Sequence, residues 1–137
     1  MRPFLLSLPL SLPLCLILSA PALAGQTLDA AGFRAEVEGQ TIWFAQDGTE
    51  YGAEYYIGRD RVWWSFLDGN CLTGRWFQDG DALCFLYNDS ERPQCWRFSL
   101  GPGGLSAEST DAANPVTIRE TRRSDEPLYC RGPAVGS

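Results

Sequence analysis

The side chains in this sequence that could do chemistry are Cys71, Cys84, Cys95 and Cys130, two close pairs of carboxylates, and an unusual density of tryptophan; there is no His and no Lys. A Ser or Cys nucleophile usually needs His as its base, so triad-type acyl transfer finds no partner here. Asp79 with Asp81, or Glu36 with Glu38, could in principle share acid and base work in a carboxylate hydrolase. Turn chemistry explains the first pair and a solvated helix face the second. Asp68-Gly69-Asn70 and Asp79-Gly80-Asp81 are each too short to ring a calcium ion alone. Zinc is disfavoured by the lack of His and of any Cys-x-x-Cys. The sequence therefore assigns no catalytic residue, no cofactor and no metal ligand.

Aromatic side chains offer binding chemistry instead. Trp64, Phe66, Trp76, Phe85, Trp96 and Phe98 are expected on one face, where they either fill a core or line an interior cavity for a small apolar ligand. Trp63 falls on the opposite face with Arg61 and Arg75, and aromatic and arginine side chains together suit a surface for a protein partner.

These faces depend on the elements that carry them. Asp60 to Tyr87 reads as three β-strands joined at Asp68-Gly69 and Asp79-Gly80, since such dipeptides between β-forming runs signal hairpins. Strand alternation puts Val62, Trp64 and Phe66 on the inner side, followed by Leu72, Gly74 and Trp76, then Leu83, Phe85 and Tyr87. A three-residue loop at Leu67-Asp68-Gly69 would set Phe66 opposite Asn70 and Trp64 opposite Leu72. A two-residue turn at Asp79-Gly80 would set Trp76 beside Leu83. Upstream, residues 27–39 (TLDAAGFRAEVEG) predict a short helix capped by Thr27 or Asp29, with Phe33 and Val37 buried and Gly39 at its end. Further strands are expected at Thr41 to Gln46, Tyr51 to Ile57, Gln94 to Leu100, Leu105 to Ser109 and Val116 to Thr121. The fold class is all-β: a small antiparallel up-and-down meander of about eight strands closing into a barrel, with a short N-terminal helix.

The first 24 residues carry Arg2, an apolar run from Phe4 to Leu18 and the ending Ala22-Leu23-Ala24, the pattern of a cleaved export signal that would also discard Cys15. The organisation expected is a signal peptide over 1–24, a helical lead-in over 25–40, the barrel over 41–121 and an aperiodic tail over 122–137. The chain carries a formal charge of −6, one unit more negative once Arg2 is removed. Such a balance argues against nucleic acid and anionic membranes as partners, and no membrane span is expected after cleavage. A periplasmic or secreted location follows, and with it an oxidising compartment for four cysteines.

Register constrains their pairing. Cys84 and Cys95 lie on the outer face of neighbouring strands, whereas Cys71 is distant from Cys84, which in the expected register faces Arg75. Cys84 with Cys95 and Cys71 with Cys130 remain, the second tying the tail to the barrel.

Gly74-Arg75-Trp76, Leu83-Cys84-Phe85 and Cys95-Trp96, with Gly48 and Tyr55-Tyr56 upstream, resemble small exported bacterial β-barrel proteins of unknown function that share this core. The resemblance implies a compact barrel holding the Cys84 and Cys95 pair. Gly-x-Trp is also distantly lipocalin-like, although here three strands precede it. Taken together, the expectation is a non-enzymatic exported module that binds or inhibits another periplasmic or extracellular protein, with a carrier of a small apolar ligand as the alternative.

Overall fold

A computed structural model of the chain describes residues 25–131. The expected export signal over 1–24 lies outside the described residues, as does the end of the tail from residue 132 onward.

Among the described residues, nine strands and one helix are formed: β1 Gln26–Thr27, α1 Ala30–Val37, β2 Thr41–Gln46, β3 Thr49–Gly58, β4 Arg61–Ser65, β5 Leu72–Asp79, β6 Ala82–Tyr87, β7 Gln94–Gly101, β8 Gly104–Ser109 and β9 Thr117–Ser124. Each strand from β2 to β9 pairs antiparallel with the next, and β9 pairs back onto β2, so eight strands close a barrel. Closure removes the unpaired edges of an open sheet. The ninth strand is the part the pattern did not reveal. Only Leu83 to Phe85 of β6 pair with β7, at Gln94 to Trp96, and β1 occupies the same edge of β7 further along, with Gln26 opposite Leu100 and Thr27 opposite Ser99.

That strand shortens the predicted helix. Thr27 is held in the sheet and Leu28 N–H donates to the Phe98 carbonyl, so Asp29 becomes the cap and accepts from Gly32 N–H at 2.8 Å. Gly39 ends the turn at φ +79°, a conformation that suits glycine. Phe33 and Val37, one turn apart, are both buried inside the end of the barrel where β5 meets β6. Phe33 touches four rings, Tyr56, Trp76, Phe85 and Phe98, with centroids 4.6 to 6.2 Å away. The helix is thus a plug, and its outer side carries Arg34, which bonds Asp60 at 2.8 Å and stacks over Trp76 at 5.2 Å.

Two expected turns differ in register. Asp79 pairs with Ala82, so the β5–β6 turn is Gly80-Asp81, with φ +61° at Gly80. Trp76 therefore stands opposite Phe85 and not Leu83, and Cys84 opposite Phe77 and not Arg75. A turn that begins with glycine at positive φ competes well with the Asp-Gly alternative. The error is two residues in register, and alternation has period two, so every side chain kept its face. Between β4 and β5, Trp64 does face Leu72, but β4 ends at Ser65 and a wider loop of six residues replaces the expected Phe66 to Asn70 pairing. Leu67 takes φ +65° there, and its N–H is held by the Ser65 hydroxyl at 3.1 Å.

The tail also differs from its expected description. Residues 122–124 continue β9 against Thr41 to Trp43, so the aperiodic part begins only at Asp125. It leaves β9 beside the start of β2, where the Thr41 hydroxyl donates to the Glu126 carbonyl at 2.7 Å. It is pinned at the opposite end of the barrel by Cys71–Cys130 and by Arg131 N–H on the Gly69 carbonyl at 2.6 Å. Between these anchors lie the outer faces of β2, β3 and β4, where Thr41, Ala53 and Ser65 are buried although they point away from the core. The second bridge joins Cys84 and Cys95, directly paired on β6 and β7 with Cα atoms 4.0 Å apart. Two disulfides place the folded chain in an oxidising, non-cytoplasmic environment. Among the described residues no helix is long and apolar enough to cross a membrane.

Candidate functional site

Opposite the plug, the barrel is not filled. The β2–β3 turn and the β4–β5, β6–β7 and β8–β9 loops lie at this end, and beneath them is a cavity of about 90 Å³. Phe44, Tyr51, Tyr56, Trp64, Leu72, Phe85, Tyr87, Trp96, Phe98 and Ile118 wall it, with Phe66, Asp89 and Gln94 toward the opening and Glu54 within. Glu54 is 2% exposed.

Local sequence explains how the wall is assembled. Glu54, Trp64 and Leu72 form one cross-strand row over β3, β4 and β5, and Tyr56, Val62, Gly74 and Tyr87 form the next row toward the plug. Two glycines lie under two rings. A Cβ at Gly52 would overlap the Trp64 indole, and one at Gly74 would meet the Tyr87 ring at 2.8 Å. The glycine of Gly-x-Trp thereby lets Tyr87 lie across β5 and bring its hydroxyl to Glu54 Oε2 at 2.5 Å. Tyr51 reaches the cavity for another reason: β3 carries one extra residue between Gly52, paired with Phe44, and Glu50, paired with Ala45. Such a bulge re-aims a side chain. Tyr51 then meets Trp64 at 5.4 Å, and Trp64 meets Phe66 edge-on at 5.4 Å.

Electrostatically the site is a neutral acid in an aromatic cup. Burial pushes the Glu54 carboxyl up from 4.5 to about 8, partly opposed by hydrogen bonds from the Tyr87 and Tyr56 hydroxyls. Burial and then the nearby Glu54 raise the Tyr51 phenol to about 12, and the same two causes push up the Tyr56 and Tyr87 phenols. At neutral pH the carboxyl holds its proton. Among the described residues, the acids Glu54 and Asp89 line the cavity and no arginine does.

The folded chain keeps the Glu54 proton up to about 8 while the unfolded chain releases it near 4.5, so stability from this group is complete below 4.5 and falls as pH rises toward 8. Urea unfolding across that window should show a steeper loss for the native chain than for Glu54→Gln, and parallel curves would contradict it.

Of the residues read as interior lining, Trp64, Phe66, Phe85, Trp96 and Phe98 come together at this cavity. Phe66 needs correction: it is 59% exposed, beyond the end of β4, and forms part of the rim rather than the interior. Trp76 belongs to the other half of the barrel, packed against Phe33 and beneath Arg34. The proposed partner surface is split. Arg61 and Arg75 are exposed and directly opposed across β4 and β5, while Trp63 is half-buried with its ring 5.7 Å from Tyr55. The carboxylate pairs lie elsewhere: Asp81 bonds Arg97 at 2.7 Å, and Glu36 lies 3.8 Å from Arg123.

Glu54, Tyr51, Asp89 and Gln94 were not identified from sequence. For Glu54 the signal was present, because it shares the parity of Tyr56 in β3 and so must point inward with it. Comparison with family models, curated proteins and solved structures finds no match for this chain.

Proposed function

We propose that the protein is a non-enzymatic exported barrel that binds a small molecule in the open half of its interior. The observation that carries this reading is the cavity of about 90 Å³ with Glu54 and Tyr87 converging inside an aromatic wall. Apolar walls with a few convergent polar groups are the usual form of a ligand site. The volume is well below the roughly 300 Å³ or more of typical drug-sized sites, so the ligand enters by one compact group while the remainder emerges through the rim. The two disulfides support export, and a charge of −6 is unsuited to nucleic acid.

A suitable first probe is dimethylbutanol, whose tert-butyl head suits a small apolar cup. Amide NMR of the disulfide-bonded protein should show saturable shifts at Trp64, Leu72, Tyr87 and Trp96, abolished in Leu72→Trp, which fills the mouth. Shifts confined to the outer face, or none at all, would overturn the reading. A second reading is favoured by one feature: Arg61 and Arg75 stand opposite each other beside Phe77, which is 40% exposed, and neither arginine forms an ion pair among the described residues. Like charges so placed repel, and an acidic segment of a partner protein would relieve them.

A further inference from the structure

We propose that the group admitted by the cup is a compact organic cation of the alkylammonium class, held by Glu54 as counter-ion against the Trp64, Tyr51 and Trp96 rings. This rests on the cup being a ligand site, and it specifies the chemistry of what enters.

Three observations bear on it. Aromatic faces attract cations, and enclosure by several rings is the characteristic way proteins hold quaternary ammonium groups. Tyr51, Trp64, Phe66, Tyr87 and Trp96 supply such walls, with Tyr51 and Phe66 both 5.4 Å from Trp64. Next, the chain has eleven basic residues, all arginine, yet none lines the cavity among the described residues, and both charged-type side chains there are acids. An anionic ligand would find no counter-charge. Finally, Glu54 is already oriented as a carboxylate acceptor, with the Tyr87 hydroxyl at 2.5 Å and Tyr56 beside it. Two donors on one carboxyl hold its ionised form in place, and what keeps it protonated is burial without a neighbouring positive charge.

A cation entering the cup supplies that charge. Below pH 8 Glu54 then gives up its proton to solvent as the ion pair forms, one proton for each cation bound, and above pH 8 the carboxylate is already there to receive the cation. The groups facing Glu54 are Tyr51 and Tyr56 from β3, Tyr87 from β6 and Asp89 from the β6–β7 loop at the rim. Glu120 on β9 acts on Tyr56 but is itself held by Arg123. The tyrosines stay protonated through the relevant range, so Glu54 is the inner group that titrates between pH 6 and pH 9, all three phenols being raised from 10.

Choline and dimethylbutanol make a matched pair, nearly equal in shape and differing in charge, and choline keeps its charge at every pH used. Titrations by calorimetry at pH 6, 7, 8 and 9, with circular dichroism confirming the fold, should show choline binding about tenfold or more tighter than dimethylbutanol at pH 9. Its affinity should weaken by about tenfold for each unit below pH 8. Dimethylbutanol should show no such dependence. Glu54→Gln, which mimics the protonated side chain, should keep dimethylbutanol binding and lose both the preference for choline and its pH dependence, whereas Asp89→Asn should retain the pH dependence. Dimethylbutanol binding without a preference for choline, or a pH dependence that survives Glu54→Gln, overturns the cation assignment while leaving the cup as a ligand site. If neither probe binds, both readings fall.

Discussion

Replacing Phe33 by Ala should lower the unfolding free energy of the domain by about 3 to 5 kcal/mol, the range for truncating a fully buried phenylalanine. Phe33 has 0% exposure, and its ring meets those of Tyr56, Trp76, Phe85 and Phe98. Its removal opens a void under the plug that the surrounding strands cannot close, because each of them is fixed on both sides in the barrel. The eight-residue helix is too short to persist alone and depends on this anchorage. Urea unfolding followed by tryptophan fluorescence would measure the loss. A change below about 1 kcal/mol would show that the helix is ancillary to the barrel rather than part of its core.

Removing the bridge between Cys71 and Cys130, as the double alanine variant, should cost about 4 kcal/mol on the chain-entropy account, against about 3 for the Cys84–Cys95 bridge. The difference arises because the first closes a separation of 59 residues and the second one of 11. The two losses should also differ in kind. Cys84 and Cys95 are directly paired on adjacent strands, so their loss is felt only when the sheet itself opens. Without Cys130 the tail is held mainly by the Thr41 and Gly69 contacts, and the buried outer faces of Ala53 and Ser65 become accessible from one side. Hydrogen exchange should therefore quicken along β3 and β4 in the tail variant and near β6 and β7 in the other. Equal unfolding free energies with identical exchange patterns would contradict this account.

Much of the barrel was legible because alternation of aromatic and polar residues is a local signal with a strict period. Trp64, Trp76, Phe85 and Phe98 are buried on the inner face despite a misplaced turn, since a slip of two residues in register changes partners and preserves sides. The disulfides followed from the same faces. What was not legible depends on contacts between distant segments. Two residues of β1 carry no hydrophobic pattern, and they form a strand only because β6 leaves part of one edge of β7 unpaired. Residues 122–124 are polar and exist as strand because β2 needs a partner to close the barrel. The site was hidden for a related reason. Tyr51 points inward only through a bulge, and a glutamate inside a strand looks like any solvated carboxylate until the parity of β3 is taken together with the closing of the barrel around it.

The two ends of the barrel are built to different rules. At the plugged end the strands are joined by pairs of residues, Arg59-Asp60, Gly80-Asp81 and Pro102-Gly103, whereas the cup end, besides the two-residue Asp47-Gly48 turn, carries connections of six, six and seven residues over 66–71, 88–93 and 110–116. Lengthening a surface loop costs little free energy, while a tight turn that sets strand register does not tolerate insertion. Variation can therefore accumulate around the entrance without reaching the floor, which makes this small scaffold suited to grafted loops that change what it admits while Phe33 and Trp76 keep the fold unchanged.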